Sequence, residues 1–299
     1  MDMNRRKVTA TPPPTEIPQA DVSVSAGDSS SKPEGSGGSR FPGSTVQPQS
    51  GNQADPMPSY FLAPHVFPCV TEDHLVLLDL EHDKYVGIAR EQLTALARRV
   101  RGWSRLGIPR HGDSSDARAP SSRAESVFAK MIAAGMLTTD ADIGKEAHPV
   151  DVPAATEPLF EPDLDWRPRI TFIDLVRFLR ASMLTSLAMR LLSLRSVMTS
   201  AMRRKAEGLA TRGAVNLAVA RRATEAFIRM RPLLFGAQDA CLYDSLALTR
   251  FLSYYGQYPA CVIGVQTAPF GAHCWVQESD FVFNDAPEYV RRFTPIFAV

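Results

Sequence analysis

The chain is poor in cysteine, and its few cysteines lack the spacing of a metal site. Four occur among 299 residues, and no pair follows the CxxC or Cys/His patterns that hold zinc. No secretory signal precedes them. We therefore expect a cytoplasmic protein with free thiols and no bound metal. The four are Cys69, Cys241, Cys261 and Cys274.

Long apolar runs, an excess of one charge and a glycine-rich phosphate loop are also missing. The most apolar stretch, residues 181–199, is interrupted by Arg190 and Arg195, whereas a membrane span needs about 20 predominantly apolar residues. The net charge is only +1, from 33 basic and 32 acidic residues, which does not favour nucleic acid as a partner. Without a phosphate loop, neither ATP nor another cofactor is indicated.

Composition divides the chain into four parts. Residues 1–58 contain 9 Pro, 6 Gly and 9 Ser with almost no apolar clustering, so they cannot bury enough surface to offset the entropy of ordering. We predict a disordered tail there, a first module over 59–140, an acidic linker over 141–168 and a second module over 169–299. The linker assignment depends on several prolines and on eight acids against one lysine between residues 138 and 165.

The first module has the pattern of a small winged helix. It begins with three β-branched and aliphatic runs, HVFPCV, HLVLLDL and KYVGI, which the turn sequences TED and EHD separate. This pattern predicts a three-strand meander. Helical spacing follows from Ile88 to Val100, and a second helix with apolar Val127 and Met131 ends at Gly135.

The second module changes character along its length, and together with the first it predicts an α+β protein. Residues 170–235 carry twelve Arg or Lys and three acids on a Leu/Met/Ala-rich background. We predict two or three helices there, with Met183, Met189, Met198 and Met202 used for packing and not for a cofactor site. For the basic face of these helices, solvent is predicted and a membrane surface is the alternative. The last sixty residues predict one helix, ACLYDSLALTRFLSYYG, and then the strands ACVIGVQ, AHCWVQE and FVFND.

Cys241 opens the helix of this last segment. Asp239 is suited to the N-cap, which places Cys241 in the first turn, where free N–H groups and the helix dipole favour a thiolate. A buried structural role is the commoner one for a free cysteine. Cys241 is therefore a candidate nucleophile only if a base, and a group that orients the base, lie beside it.

The final hairpin contains a histidine and an aspartate that suit these two roles. If its loop is the three residues 278–280, His273 lies directly opposite Asp285, with Trp275 opposite Phe283 on the same face. A two-residue turn would move the aspartate to the other face. We predict the three-residue loop, in which the carboxylate holds the imidazole tautomer and the two aromatic rings form an apolar wall.

The remaining carboxylates and cysteines of this region receive secondary roles. Glu278 on the loop and Asp244, one turn along the predicted helix, are the alternative carboxylates for orienting the imidazole. Strand alternation points Cys274 away from His273, so Cys274 and Cys261 are predicted to be small core residues.

The segments CLYDSLALTRFLSYYG, VIGVQTAPFGAHCWVQES and FVFND together resemble the transglutaminase-like leader peptidase of lasso-peptide biosynthesis, the B protein. The resemblance implies a transglutaminase-like, papain-like cysteine peptidase domain with a Cys–His–Asp triad, carried here by Cys241, His273 and Asp285. The first module, with VLLDLEHDKYVGI and MIAAGMLTTD, is similar to the leader-recognition element of ribosomal-peptide pathways. Two features depart from the family: Cys274 stands where alanine is expected, and the tail is long.

A leader peptide in extended conformation can add a strand to an exposed sheet edge. In the predicted meander KYVGI is the edge, and the helix bearing Val127 and Met131 forms the other wall of a groove. The alternative is that some of these side chains simply belong to the core. The predicted leader-binding residues are Lys84, Tyr85, Val86, Gly87, Ile88, Val127 and Met131.

The resemblance implies a function for the whole chain. The protein is expected to bind a ribosomally made precursor peptide and to remove its leader, so that a separate ATP-dependent macrolactam cyclase of asparagine-synthetase type can use the freed amine. Acyl transfer or cross-linking by the same triad is the alternative enzymatic function. A leader-binding escort protein without catalysis is the third hypothesis.

Overall fold

The computed structural model describes residues 59–72, 74–89, 93, 99–107, 122–161, 169–234 and 241–299. The predicted tail over 1–58 and the predicted N-cap residue Asp239 lie outside these ranges. So does most of the helix predicted between Ile88 and Val100, of which Leu93 is described as helical and fully buried.

The N-terminal part is built around a three-stranded antiparallel meander. Its strands are β2 (Val66–Val70), β3 (His74–Asp79) and β4 (Lys84–Ala89), in the order β2-β3-β4. The predicted meander and the predicted edge position of β4 are both confirmed. The central strand β3 is buried on both faces, which explains why its sequence is apolar almost throughout instead of alternating.

Shorter elements complete this part. Strands β1 (Phe61–Leu62) and β5 (Leu137–Thr138) form a two-stranded antiparallel sheet, a 3₁₀ helix spans Trp103–Leu106, and helix α1 spans Ser122–Ala133. The predicted stop of α1 at Gly135 is confirmed. This glycine has a φ of 68°, a left-handed conformation that glycine adopts without steric cost just after a helix.

Three helices precede the segment that contains Cys241, as predicted: α2 (Phe172–Leu191), α3 (Leu194–Arg212) and α4 (Leu217–Met230). A side chain caps the N-terminus of each. Thr171 and Asp174 form a reciprocal capping box on α2, Ser193 accepts a hydrogen bond from the backbone of α3, and Asn216 does the same for α4. These caps satisfy N–H groups that have no partner within a helix.

The C-terminal sheet has five strands: β6 (Glu157–Pro158), β7 (Ala260–Thr267), β8 (Phe270–Glu278), β9 (Phe281–Val282) and β10 (Thr294–Ala298). Their order is β10-β7-β8-β9-β6. The acidic stretch predicted to be a linker supplies the edge strand β6, which runs parallel to β9, and Ala155 and Leu159 of this stretch are buried.

Helix α5 (Cys241–Ser253) packs across this sheet, and the 3₁₀ helix Arg231–Leu233 and helix α6 (Pro287–Val290) complete the C-terminal part. Phe251 of α5 lies in an aromatic cluster with Phe178 and Phe227, and the same core includes Val276 of β8. The burial of this helix face against β8 holds the N-terminus of α5 beside the middle of that strand.

One apolar cluster contains residues of both parts of the chain. On β3, Leu75 and Leu77 face the N-terminal core, while the alternating Val76 and Leu78 pack against residues of the C-terminal sheet. Phe67 of β2 meets Phe297 of β10 with ring centroids 4.7 Å apart. The meander is therefore seated directly on the C-terminal domain.

Of the four methionines in helices α2 and α3 that were predicted to serve packing, one lies in the core. Met198 is fully buried, whereas Met183, Met189 and Met202 are 64, 39 and 45% exposed. Helix α2 is apolar on both of its faces, so composition alone did not tell which face is buried. Over the described residues, no helix has the length and apolar character to cross a membrane.

Candidate active site

Cys241 is the first residue of α5 and is half-buried. The backbone N–H groups of Leu242 and Cys274 hydrogen-bond to its sulfur, and the side chain of His273 does so as well. Burial by itself raises the pKa of this thiol, but these three hydrogen bonds and the charge of the imidazole outweigh it and lower the pKa below that of a free thiol. The thiolate is the form that the site stabilises.

His273 lies on β8 between this sulfur and a carboxylate. Its Nε2 is 2.6 Å from Oδ2 of Asp285, so Nδ1 is the ring nitrogen left for Cys241. The other carboxylate oxygen, Oδ1, accepts a hydrogen bond from the backbone N–H of Ala286 at 2.8 Å. With both oxygens held, the carboxylate fixes the orientation of the ring.

The electrostatics of His273 are the complement of those of Cys241. Burial lowers its pKa, but the hydrogen bonds and charges of Asp285 and Cys241 outweigh burial and raise the pKa to about 9. The histidine side chain is only 12% exposed. Each group therefore stabilises the charged form of the other, an imidazolium beside a thiolate.

The pairing of His273 with Asp285 was predicted, but the register from which it was predicted is wrong. Glu278 pairs with Phe281, so the hairpin has a two-residue turn, and ladder pairing would put Asp285 on the other face. The strand β9 ends before residue 285, so strand pairing does not set the position of Asp285. β9 has two residues, and the chain then bends through 283–285, which returns the carboxylate to the imidazole.

The predicted apolar wall is corrected in the same way. Trp275 and Phe283 do not lie on one face, because they belong to two different core clusters. The rings beside His273 are Trp275, Tyr289 and Phe293, with centroids 6.2, 5.0 and 5.1 Å away. Tyr289 comes from α6 and Phe293 from the segment that follows it, so both arrive from beyond the hairpin.

Neither alternative carboxylate is hydrogen-bonded to the imidazole. Asp244 is buried and accepts hydrogen bonds from Asn284 at 2.8 Å and from Arg231 at 3.3 Å. Burial raises the pKa of Asp244, although these two partners oppose the rise. Burial likewise raises the pKa of Glu278, against the nearby charge of Lys205.

The other three cysteines are buried and free, as predicted for Cys261 and Cys274. The sulfurs of Cys261 and Cys274 are 3.4 Å apart, in the apolar cluster that joins the two parts of the chain. Burial raises the pKa of Cys69 to about 12, and burial together with Cys261 raises that of Cys274. Cys241 differs from Cys69 and Cys274 because its pKa is lowered. No cluster of three or more His, Cys, Asp or Glu in the described part of the chain could hold a metal ion.

The residues predicted to bind a leader lie in several environments. Lys84 is exposed on the edge strand, and Tyr85 packs edge-on against Phe270 with centroids 5.6 Å apart. Ile88 and Met131 are 2 and 3% exposed, so both belong to the core, which was the alternative for some of these residues. Val86, Gly87 and Val127 are half-buried.

Sequence reasoning missed the residues that hold the bend in place. Asn284 contacts β8 and α5, and Ser245 is fully buried on α5. Polar side chains inside the apolar pattern of α5 were the available signal, because buried polar groups require partners. This signal did not identify the residues with which these side chains form hydrogen bonds.

A comparison with known protein families matches residues 181–298 to the transglutaminase-like superfamily. The C-terminal part of the chain therefore carries a transglutaminase-like domain, as predicted, and this superfamily includes cysteine peptidases. The match contains the helix that begins at Cys241 and the sheet that carries His273. Comparisons with curated proteins and with solved structures give no match.

Proposed function

We propose that the protein is a cysteine peptidase that binds a ribosomally made precursor peptide and removes its leader during lasso-peptide maturation. The observation that carries the chemistry is the hydrogen-bonded series Cys241, His273 and Asp285 at the N-terminus of a buried helix. The transglutaminase-like domain supports this chemistry. The choice of substrate follows from the sequence resemblance of both parts of the chain to a lasso-peptide B protein.

In this proposal the Cys241 thiolate attacks the carbonyl carbon of the scissile peptide bond. The N–H of Cys241 is the proposed donor to the oxyanion, aided by the positive end of the α5 dipole. His273 gives the proton of Nδ1 to the leaving amine, which leaves a thioester on the sulfur. His273 then takes a proton from water, whose oxygen attacks the thioester and releases the carboxylate of the leader.

Asp285 does not exchange protons in this scheme. It holds the Nε2–H of His273 and stabilises the imidazolium, which donates the proton to the leaving amine and forms again when the ring takes a proton from water. The rings of Tyr289 and Phe293 exclude water from one side of the imidazole, which strengthens the ion pair. A proton bound at Nδ1 is therefore aimed at the bond that breaks.

Leader recognition is proposed for the edge of the meander. β4 is an edge strand, and a peptide in extended conformation can pair with it through backbone hydrogen bonds. Tyr85 of this strand belongs to the same apolar cluster as Cys241 and Phe270. A leader held along β4 would then continue towards Cys241, which explains why recognition and cleavage would reside in one chain.

The proposed place of the reaction is the cytoplasm, upstream of a separate macrolactam cyclase. Removal of the leader frees the N-terminal amine of the core peptide. An ATP-dependent cyclase of asparagine-synthetase type would join that amine to a side-chain carboxylate.

A second candidate function is acyl transfer, which the superfamily match also supports. The first half-reaction is the same, but an amine in place of water would attack the thioester. Mass spectrometry of the products separates the two functions. A peptidase yields a free leader with a carboxylate, whereas a transferase yields a leader covalently joined to the added amine.

The test is to incubate the full chain with a precursor peptide and to follow the leader and core by mass spectrometry. We expect the wild type to release the leader, and Cys241→Ala to bind the peptide without cleaving it. Cys69→Ala is the matched control, since this cysteine is buried away from His273, and it should still cleave. Cleavage by Cys241→Ala would overturn the proposal.

Iodoacetamide labelling at slightly acidic pH tests the alternative of an escort without catalysis. Cys241 should be alkylated selectively, because the other three thiols are buried. A chain in which no cysteine reacts under these conditions would favour the escort.

A further inference from the structure

Asn284 uses its whole side chain to fasten the bend that delivers Asp285. Its Oδ1 accepts the backbone N–H of Val276 at 2.8 Å, in the place where a ladder partner would have been. Its Nδ2 donates to Oδ2 of Asp244 at 2.8 Å and to Oγ of Ser245 at 3.1 Å. The amide thus fills the gap left by the early end of β9.

The two acceptors are themselves buried and held. Ser245 is fully buried and donates to the carbonyl oxygen of Cys274 at 3.0 Å. Asp244 is 3% exposed, and Nη1 of Arg231 donates to the same carboxylate oxygen that Asn284 uses. We call Asp244, Ser245 and Asn284 the polar clip.

The polar clip joins the three segments that carry the candidate triad. Asn284 is the chain neighbour of Asp285, and the carbonyl held by Ser245 belongs to Cys274, the chain neighbour of His273. Asp244 and Ser245 stand on the helix that begins at Cys241. A displacement of one segment therefore strains the hydrogen bonds of the clip.

We propose that Asn284 is a positioning residue, which acts through Asp285 to hold the imidazole of His273 in line with the sulfur of Cys241. This inference rests on the proposed catalytic roles of these three residues. The side-chain hydrogen bonds of Asn284 go to Val276, Asp244 and Ser245 and reach neither the sulfur nor the ring. The contribution of Asn284 is to fix the bend beyond the last backbone hydrogen bond between the two segments, in which the N–H of Phe283 donates to the carbonyl oxygen of Val276 at 2.9 Å.

The charged and titratable groups around this bend come from several segments. Asp285 and Cys241 face the imidazole, the ring of Tyr289 packs beside it, and Asp244 with its partner Arg231 lies behind Asn284. Loss of the clip should therefore act first on the hydrogen bond between Asp285 and His273. Loss of that hydrogen bond lowers the pKa of His273 and raises that of Cys241.

The test is the pH dependence of Cys241 alkylation by iodoacetamide in the full chain, which needs no peptide substrate. We expect Asn284→Ala to raise the midpoint of this profile by about one to two pH units, the equivalent of one lost charge-assisted hydrogen bond. The control is Asn216→Ala, which removes the cap of α4 far from the clip. It should lower the melting temperature without moving the midpoint.

A double-mutant cycle with Asp285→Asn separates positioning from general destabilisation. If Asn284 acts through Asp285, then Asn284→Ala should shift the midpoint in the wild-type background and add almost nothing in the Asp285→Asn background. Equal shifts in both backgrounds would overturn the inference. So would a lower melting temperature with an unmoved midpoint.

An exchange of amide and carboxylate gives a rescue variant. Asn284→Asp alone places two carboxylates together and should shift the midpoint as Asn284→Ala does. Adding Asp244→Asn restores one donor and one acceptor between the two positions, and we expect the midpoint to return towards the wild-type value. A double variant whose midpoint stays at the shifted value of Asn284→Asp would count against the inference.

The alkylation assay also separates this inference from the proposed function. If the midpoint shifts of Asn284→Ala and Asp285→Asn are non-additive and no precursor is cleaved, the positioning role is retained and the peptidase function is rejected. If cleavage is normal and the two midpoint shifts are additive, the peptidase function is retained and the positioning role is rejected. Where cleavage occurs, Asn284→Ala should lower kcat by about ten- to a hundredfold with little change in KM.

Discussion

Asp285 contacts His273 from an irregular bend and not from a paired strand position, with Oδ2 2.6 Å from Nε2. The carboxylate is 26% exposed and the imidazole 12%, so their hydrogen bond is shielded from water on most sides. Its orientation depends on contacts that lie outside the hairpin. The proposed chemistry can therefore be tested both at these two residues and at the residues around them.

The first prediction concerns the carboxylate that serves the imidazole. Asp285→Asn should keep the fold and lower kcat/KM for precursor cleavage by up to about 10⁴-fold, because the amide no longer stabilises the imidazolium or selects its tautomer. Asp244→Asn should lower it less, since Asp244 does not contact the ring. Near wild-type turnover by Asp285→Asn would contradict the assignment.

Two controls accompany this comparison. Asp280→Asn in the hairpin turn, where the carboxylate accepts only a 3.3 Å hydrogen bond from Thr156 among the described residues, should cleave normally. Glu278→Gln should do so as well. A collapse of activity in either one would point to a different orienting carboxylate.

The second prediction is a pH dependence of stability. The pKa of His273 is raised to about 9 in the folded protein, above the value of about 6.5 for an unfolded chain. The protonated ring therefore stabilises the fold fully below about pH 6.5, and this contribution is lost as the pH rises through 9. The free energy of unfolding that His273→Ala removes should shrink between pH 6 and pH 10.

Denaturant unfolding of the wild type and of His273→Ala at several pH values measures the difference between their free energies of unfolding. The packing lost with the ring does not depend on pH, so a residual difference should remain at pH 10. Asn216→Ala provides the comparison, because its destabilisation should stay constant over the same range. A His273→Ala difference that grows with pH would contradict the sign of the prediction.

The third prediction addresses the shared core. Phe297→Ala removes a buried ring that packs on Phe67 of the other part, and it should cost about 3–5 kcal/mol of unfolding free energy. Phe172→Ala is the matched control, since this ring is 79% exposed, and it should change stability by no more than about 0.5 kcal/mol. Calorimetry should show one unfolding transition in the wild type, whereas two separate transitions would contradict a shared core.

The fourth prediction concerns a close approach on α3. A Cβ at Gly208 would lie 2.3 Å from the ring of Tyr258. Alanine normally stabilises a helix interior by about 1 kcal/mol over glycine, but overpacking costs about 1–3 kcal/mol, so Gly208→Ala should be net destabilising. In a Tyr258→Ala background the same change should become stabilising, which thermal unfolding of the four chains would show.

Much of the fold follows from local pattern. The meander, its edge strand β4, helices α2 to α4 and strands β7 and β8 were predicted, because each depends on a period of two or 3.6 residues that is visible in the chain. Strand β10 was not predicted, and β9 has two residues where five were expected. The α+β class follows from the same periods. The candidate residues Cys241, His273 and Asp285 could be named because their side-chain chemistry is unusual at those positions.

The errors have a different origin. The hairpin register depended on a turn length that the sequence leaves open, and the two possibilities differ by one residue. Apolar composition predicts burial but not the partner, so the exposure of Met183 and the seating of the meander on the C-terminal sheet were both missed. The stretch that forms β6 was taken for a linker because its acids and prolines conceal two strand residues.

By itself, the sequence determined the class of fold, the order of the meander, the main helices and strands β7 and β8, and the residues available for thiol chemistry. Only the tertiary structure decided that Asp285 approaches His273 through a bend in which Asn284 bonds to β8 and α5, and that one apolar cluster joins both parts. Periodicity records which side chains are buried, because burial repeats with the backbone. It does not record which distant segments meet, since that depends on the packing of the whole chain.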